Sequence, residues 1–207
     1  MGYFPFFREL GGCEVLIVGG GTVALRRART LADFGARLRA VAPEFVPGFD
    51  SLEMERAQRP FDEADLEGAA MVIAATDDGA VNARIARLCL ARGIEVNAAS
   101  APELSTFQFP GIIRRGRLTV AVNTCGASPV ASAFVREQLD RALPENFDQI
   151  LDCMERARVM AKSVLPEQRA RSQALEAVFR RCLQPLSLPD AEEVECMIRH
   201  FMCMEMD

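Results

Sequence analysis

The sequence has no tryptophan, one tyrosine (Tyr3), one histidine (His200) and one lysine (Lys162) in 207 residues. These scarcities exclude much proton-transfer chemistry. A Tyr–Lys pair of the kind used by small-molecule reductases would have to be built from Tyr3 and Lys162, and a histidine acid or base could only be His200. The other basic residues are all arginine, and the formal charge of -5 leaves no overall basic field to attract nucleic acid. No apolar run approaches bilayer length, and the opening Met1-Gly2-Tyr3-Phe4-Pro5 lacks the basic segment and apolar core of an export signal. The expectation is a cytoplasmic protein with no membrane partner. Seven cysteines, an odd number, form no C-x-x-C pair, so reduced thiols serving as small apolar residues are expected.

What is present is organised around Cys13–Ala24. The apolar run Val15-Leu16-Ile17-Val18 ends in Gly19-Gly20-Gly21, and Val23, Ala24, Ala28, Leu31 and Phe34 then recur at helical spacing. This is strand, tight turn and helix, with Gly19-x-Gly21-x-x-Ala24 at the junction. Gly19 can take backbone angles closed to other residues, Gly21 lets the main chain approach a pyrophosphate, and Ala24 lets the helix sit close on the strand. The free N–H groups at the helix start then face the phosphate charge.

Strand and helix alternate over the first hundred residues. Strands are expected at 36–42, 70–75 and 94–98, a short helix after Asp62, and a helix from Ala80 to Arg92 closed by Gly93. That order gives a Rossmann-like parallel sheet with helices on both faces. Its ligand rim is Gly19–Thr22, Pro43-Glu44, Thr76–Asp78 and Asn97–Ser100. Val41-Ala42-Pro43-Glu44 offers Glu44 to an adenosine ribose and no arginine to a 2′-phosphate, which favours NAD over NADP. Residues 4–10 read as an apolar lead-in beside the first strand. Thr106–Pro110 and Arg117–Val122 read as strands turning at Arg115-Gly116. Ser128-Pro129 opens a helix to Leu143, and helices follow at about 146–164, 167–183 and 190–204.

Gly19-Gly20-Gly21-x-Val23-Ala24-x-Arg26-x-Ala28, then Ala74-Ala75-Thr76-Asp77-Asp78-x-x-Val81-Asn82, then Gly126-x-Ser128-Pro129 with Ala131 fall in one order. Together with Ile94 through Asn97 to Phe107 and Pro110, they resemble precorrin-2 dehydrogenase, the NAD-dependent module also found at the N-terminus of siroheme synthase. The likeness covers about residues 1–145; the tail matches only as helices. It implies NAD-linked oxidation of precorrin-2 to sirohydrochlorin, a step toward siroheme or cobalamin. It also implies a homodimer, with a dinucleotide-binding domain over 1–113, a small α+β dimerisation region over 114–145 and a helical domain over 146–207. No methyltransferase domain is recognised in the sequence, so precorrin-2 is expected to come from a separate protein.

Carried over residue by residue, cofactor contacts fall on Thr22, Val23, Pro43 and Glu44; the glycine motif and the strand tip add Gly19, Gly21, Thr76 and Asp77 as cofactor candidates. Where the family usually has an aspartate, in Asn97-x-x-Asp, this chain has Ser100. A serine hydroxyl has no useful acidity near neutral pH and is a poor ligand for ferrous iron, so the expectation is a dehydrogenase with weak or absent ferrochelatase activity. Asn97 at a strand tip is the other candidate beside the reacting atoms. Thr124 stands where some similar siroheme synthases carry a phosphorylated serine, and that modification is not carried over. Arg114, Arg115 and Arg117, with the helix head at Ser128, are candidates for the substrate's eight carboxylates, and solvated hairpin charge is the plainer alternative. Asp77 and Asp78 are also explained as a turn and helix cap. Cys196, His200 and Cys203 share a helix face, but an apolar packing face explains them more simply, and no metal site is assigned. The competing class is a non-catalytic NAD-sensing module, which the missing aspartate favours.

Overall fold

A computed structural model describes residues 4–184 and 187–204, with the side chains of 202–204 left out. The chain forms two compact units, Met1–Phe109 and Pro110–Asp207.

The first unit is a five-stranded parallel sheet. Its strands are β1 (Glu14–Val18), β2 (Arg37–Ala42), β3 (Met54–Gln58), β4 (Met71–Ala74) and β5 (Glu95–Ala98), in the spatial order β3-β2-β1-β4-β5. The order reverses beside β1, so the crevice for a ligand opens at the carboxyl ends of β1 and β4. Alternate residues of β1 serve opposite faces. Val15 and Ile17 pack with Ala24, Leu25, Ala28 and Leu31 of α1 (Thr22–Asp33). Leu16 and Val18 pack with Ile85, Ala86 and Cys89 of α2 (Gly79–Arg92). Helices therefore cover both faces, as the alternating pattern predicts. Burying Ile17 and Ile73, both 0 % exposed, contributes about 1.5–3 kcal/mol each. Each helix also ends where the sequence indicates: α1 is followed by Gly35 at φ 78° and α2 by Gly93 at φ 69°.

Other local details depart from the sequence reading or sharpen it. β3 was not anticipated, because Met54-Glu55-Arg56-Ala57-Gln58 is a charged edge strand with only its Met54 and Ala57 positions half-buried. The helix after Asp62 is one turn of 3₁₀, Glu63–Leu66, closed by reciprocal bonds between Asp62 and Asp65. In the lead-in Phe4, Phe6 and Phe7 are exposed, and only Leu10 packs onto the sheet.

The second unit begins with an antiparallel hairpin, β6 (Gly111–Arg115) and β7 (Leu118–Val122), turning through Gly116 at φ 55°. The strand expected over 106–110 is instead a loop, whose Phe107 and Phe109 pack onto the α1 face of the sheet in the first unit. Four helices follow: α3 (Pro129–Ala142), α4 (Phe147–Val164), α5 (Gln168–Cys182) and α6 (Ala191–Met204). The core between α4, α5 and α6 is made of small residues, with Cys153, Ala157 and Ala161 facing Ala170, Ala174 and Cys182. No described helix is long and apolar enough to cross a membrane.

Candidate functional site

The sheet's carboxyl rim is held by backbone contacts that leave little room for side chains. Gly19 donates its N–H to Val41 O at 3.0 Å and has φ 124°, and a Cβ there would sit 2.3 Å from Ala75 O. Gly20 accepts from Val46 N at 2.8 Å, and a Cβ on it would lie 1.8 Å from Glu44 O. These two glycines pull the loop against the tips of β2 and β4. Gly21 is different, since a Cβ there would meet nothing within 4 Å. It is the N-cap of α1, with no side-chain capping bond and no acid in the first turn. The first intrahelical bond runs from Leu25 N to Gly21 O, so the N–H groups of Thr22, Val23 and Ala24 lack helical acceptors. Val23 is 40 % exposed at this helix head, an unusual position for valine. A shallow cradle ringed by unpaired donors at the positive end of a helix dipole fits a pyrophosphate.

Pro43 and Glu44 are exposed just beyond β2, and Glu44 is fixed through its own carbonyl's approach to Gly20. Beyond β4, Thr76 is tied to Asn82, a residue of α2 that is 0 % exposed. The Asn82 carboxamide oxygen accepts from Thr76 N at 2.9 Å and Thr76 Oγ1 at 2.8 Å. Its Nδ2 donates to Thr76 O at 3.0 Å and to Ser100 Oγ at 2.8 Å. All of Asn82's hydrogen-bonding capacity is used, and the loops after β4 and β5 are joined through it. The sequence motif contains Asn82 without a role for it; its signal is a polar residue in line with Ile85, Ala86 and Cys89 on the apolar face of α2. Asp78 caps α2 by accepting from Ala80 N and Val81 N, while Asp77 is exposed on the turn before it.

Ser100 is exposed, and its Oγ accepts from Asn82, so its own O–H is left to donate elsewhere. Asn97 is only 7 % exposed, and its Nδ2 holds Phe107 O at 2.9 Å. It braces the loop that follows β5. The structure thus brings Gly19, Gly21, Thr22, Val23, Pro43, Glu44, Thr76, Asp77, Asn97 and Ser100 to one rim of one sheet.

The remaining candidates belong to the second unit. Arg115 donates to Leu143 O, Pro144 O and Asp140 Oδ1 at 2.7–2.9 Å, fastening the hairpin to the end of α3. Arg117 pairs with Glu155 at 2.6 Å, and Arg114 is exposed on β6. Glu155 raises the Arg117 guanidinium above its ordinary range. Ser128 caps α3 by accepting from Ala131 N at 3.1 Å, and Thr124 Oγ1 donates to Ser128 O. Cys203 lies outside the described side chains, and the described residues hold no group of three or more His, Cys, Asp or Glu fit for a metal.

Comparison with known proteins adds three findings. The family described as putative NAD(P)-binding matches residues 6–111. Siroheme synthase of Ectopseudomonas mendocina (strain ymp) is 40% identical over 186 residues, covering 87% of this chain and 39% of that protein. Siroheme synthase of Azotobacter vinelandii (strain DJ / ATCC BAA-1303) is 39% identical over 184 residues, covering 87% of this chain and 40% of that protein. The chain therefore spans about two fifths of the length of these curated relatives. A solved structure titled SirC, precorrin-2 dehydrogenase, shares the fold, with TM-score 0.72 and 24% identity over 97% of this chain and 100% of that one.

Proposed function

This chain belongs to the putative NAD(P)-binding family, and from that premise we propose that it is a precorrin-2 dehydrogenase, oxidising precorrin-2 to sirohydrochlorin with NAD. The observation that carries the reading is the contrast between Gly20, clamped against Glu44, and Gly21, open to solvent at an uncapped helix head. Bound there, the dinucleotide supplies a hydride acceptor. The chain's residues supply its position: N–H groups of Thr22 and Val23 meet the pyrophosphate, and Glu44 beside Pro43 meets the adenosine ribose. No arginine stands at the tip of β2 to take a 2′-phosphate, which supports NAD over NADP. Thr76, Asp77, Asn97 and Ser100 line the side of the rim where the reacting ends meet. The likeness to siroheme synthases over 87% of the chain supports the tetrapyrrole substrate.

The balance is NAD plus precorrin-2 giving NADH, sirohydrochlorin and one proton. Ser100 cannot take that proton near neutral pH, so it leaves to water, driven by the conjugation gained in the macrocycle. The same serine is a poor ligand for ferrous iron, so metal insertion into the product is weak or absent. Homodimer formation is supported by α3, which exposes Val130 at 79%, Phe134 at 60% and Val135 at 42% and buries none of its residues. We assign the region 114–145 to that contact and 146–207 to a helical domain. Arg114, Arg117 and the α3 head at Ser128 stay candidates for substrate carboxylates, with Arg117 exchanging Glu155 for one; Arg115 is held by the α3 carbonyls.

The test is a mixture of enzyme, NAD and freshly generated precorrin-2. Equimolar NADH and the sirohydrochlorin spectrum are expected, with slower turnover on NADP. Tight NAD binding with no turnover would overturn the reading in favour of a sensing module. Enzyme-dependent, rapid insertion of ferrous or cobaltous ion into sirohydrochlorin would overturn the role given to Ser100.

A further inference from the structure

Arg27 stands out among the described residues. It lies in the second turn of α1, half-buried, with its Nε shut off from solvent and without a hydrogen-bond partner. It is the one described side-chain atom in that condition. Its guanidinium carbon sits 3.8 Å above the centre of the Phe109 ring. No ion pair among the described residues includes Arg27, although many other arginines of the chain are paired with carboxylates. Its near neighbour in charge is another cation, Arg26, and burial together with Arg26 lowers the Arg27 pKa to about 10.

An arginine taken from water normally brings a carboxylate with it, because an unpaired buried charge is costly. Here stacking on Phe109 offsets part of that cost and fixes the plane of the guanidinium. The stacked face is used, while the Nη edge remains for a forked acceptor. The platform is itself braced to the rim. Phe109 packs against Phe107 with ring centres 5.6 Å apart, and the Phe107 carbonyl is held by Asn97 at the tip of β5. Arg27 follows Thr22 by five residues, about 7.5 Å along the helix from the head assigned to the pyrophosphate.

We propose that Arg27, stacked on Phe109, is a substrate-binding residue that takes one carboxylate of the tetrapyrrole through its Nη edge. The inference rests on the substrate class assigned above. A site kept incomplete for a ligand destabilises the free protein, whereas a structural arginine stabilises it. The two roles therefore differ in the sign of the effect on stability.

Arg27→Met separates them, because the thioether keeps an apolar contact with the Phe109 ring while removing the charge. Four readouts are taken on the full chain: thermal midpoint, NAD affinity, KM for precorrin-2, and direct binding of uroporphyrin, an octacarboxylate that needs no turnover. The proposal expects a midpoint equal to wild type or raised by about 2 °C. It expects NAD affinity within twofold, uroporphyrin binding weakened about tenfold or more, and KM raised similarly with kcat little changed. Arg27→Lys, which keeps charge but loses the fork, recovers only part of the affinity. A lowered midpoint with unchanged uroporphyrin binding would make Arg27 structural and overturn the proposal. Loss of NAD affinity instead would assign it to the cofactor and overturn it as well. If wild type binds NAD but neither turns over precorrin-2 nor binds uroporphyrin, the substrate reading falls and this inference with it. Wild-type turnover with an unaltered Arg27→Met variant overturns this inference alone.

Discussion

The two units bury their cores with opposite materials. In the first, Val15, Leu16, Ile17, Val18, Val72 and Ile73 fill both faces of a parallel sheet with branched side chains. In the second, Cys153, Ala157, Ala161, Ala170, Ala174 and Cys182 let helices approach closely, and the Cys153 and Cys182 sulfurs are 3.8 Å apart. Their polar groups differ as well. The first unit's rim is closed by glycine backbones and by two buried amides, Asn82 and Asn97. The second is pinned by arginines donating to carbonyls left at helix ends, as Arg115 does to Leu143 and Pro144 and Arg171 to Leu165 and Pro166. A sheet edge built to receive a ligand keeps its donors open, while a packed bundle uses its donors internally.

The sharpest way to break this contrast lies in two adjacent glycines. Gly20→Ala drives a methyl group into Glu44 O and should cost about 3 kcal/mol or more, read as a lowered unfolding midpoint. Gly21→Ala points into open space and should cost no more than about 1 kcal/mol, the loss of a glycine N-cap, yet reduce NAD affinity about tenfold or more. Equal effects on stability would remove the distinction between a clamp and a cradle. Next in size, Ala174→Leu overpacks the bundle, where the residue is 0 % exposed, and should cost about 1–3 kcal/mol in chemical denaturation.

A smaller effect concerns acid. The Asp65 carboxylate accepts from Arg59 at 2.5 and 2.8 Å and from Asp62 N, and the Arg59 bonds hold its pKa below the ordinary value. A depressed carboxylate stabilises the fold above its unfolded-state pKa, and that contribution is lost as pH falls through the lower folded value. Wild type should therefore lose midpoint temperature across that acidic window more steeply than Asp65→Asn, which is already destabilised at neutral pH. Parallel pH profiles for the two proteins would contradict the role given to this pair.

Much of the first unit is legible in the sequence because its signals are local. Three glycines follow an apolar run, Asp78 precedes a helical period, and Gly93 ends it. β3 escaped because an edge strand with a single half-buried residue on each face, Met54 and Ala57, carries no apolar alternation, and Phe107-Gln108-Phe109 imitates a strand because its aromatics alternate although they pack from a loop. The motif Gly19-x-Gly21 assigns Gly20 no role; only the folded approach of Glu44 reveals why it must be glycine. Arg27 left no sequence signal, since one arginine in Leu25-Arg26-Arg27-Ala28-Arg29 looks like any other until its neighbours are known. In the second unit the helices were legible from period and proline, while the ties of Arg115 to the α3 carbonyls depend on contacts remote in sequence.

The most direct test of the central claim is the absorbance of NADH on adding NAD to wild type and to Gly21→Asp in the presence of fresh precorrin-2. The account predicts NADH in step with sirohydrochlorin for wild type. It predicts none for Gly21→Asp, whose carboxylate would occupy the pyrophosphate's place at the helix head while the protein keeps a folded midpoint. Turnover by a folded Gly21→Asp, or NAD binding by wild type without any turnover, would contradict it.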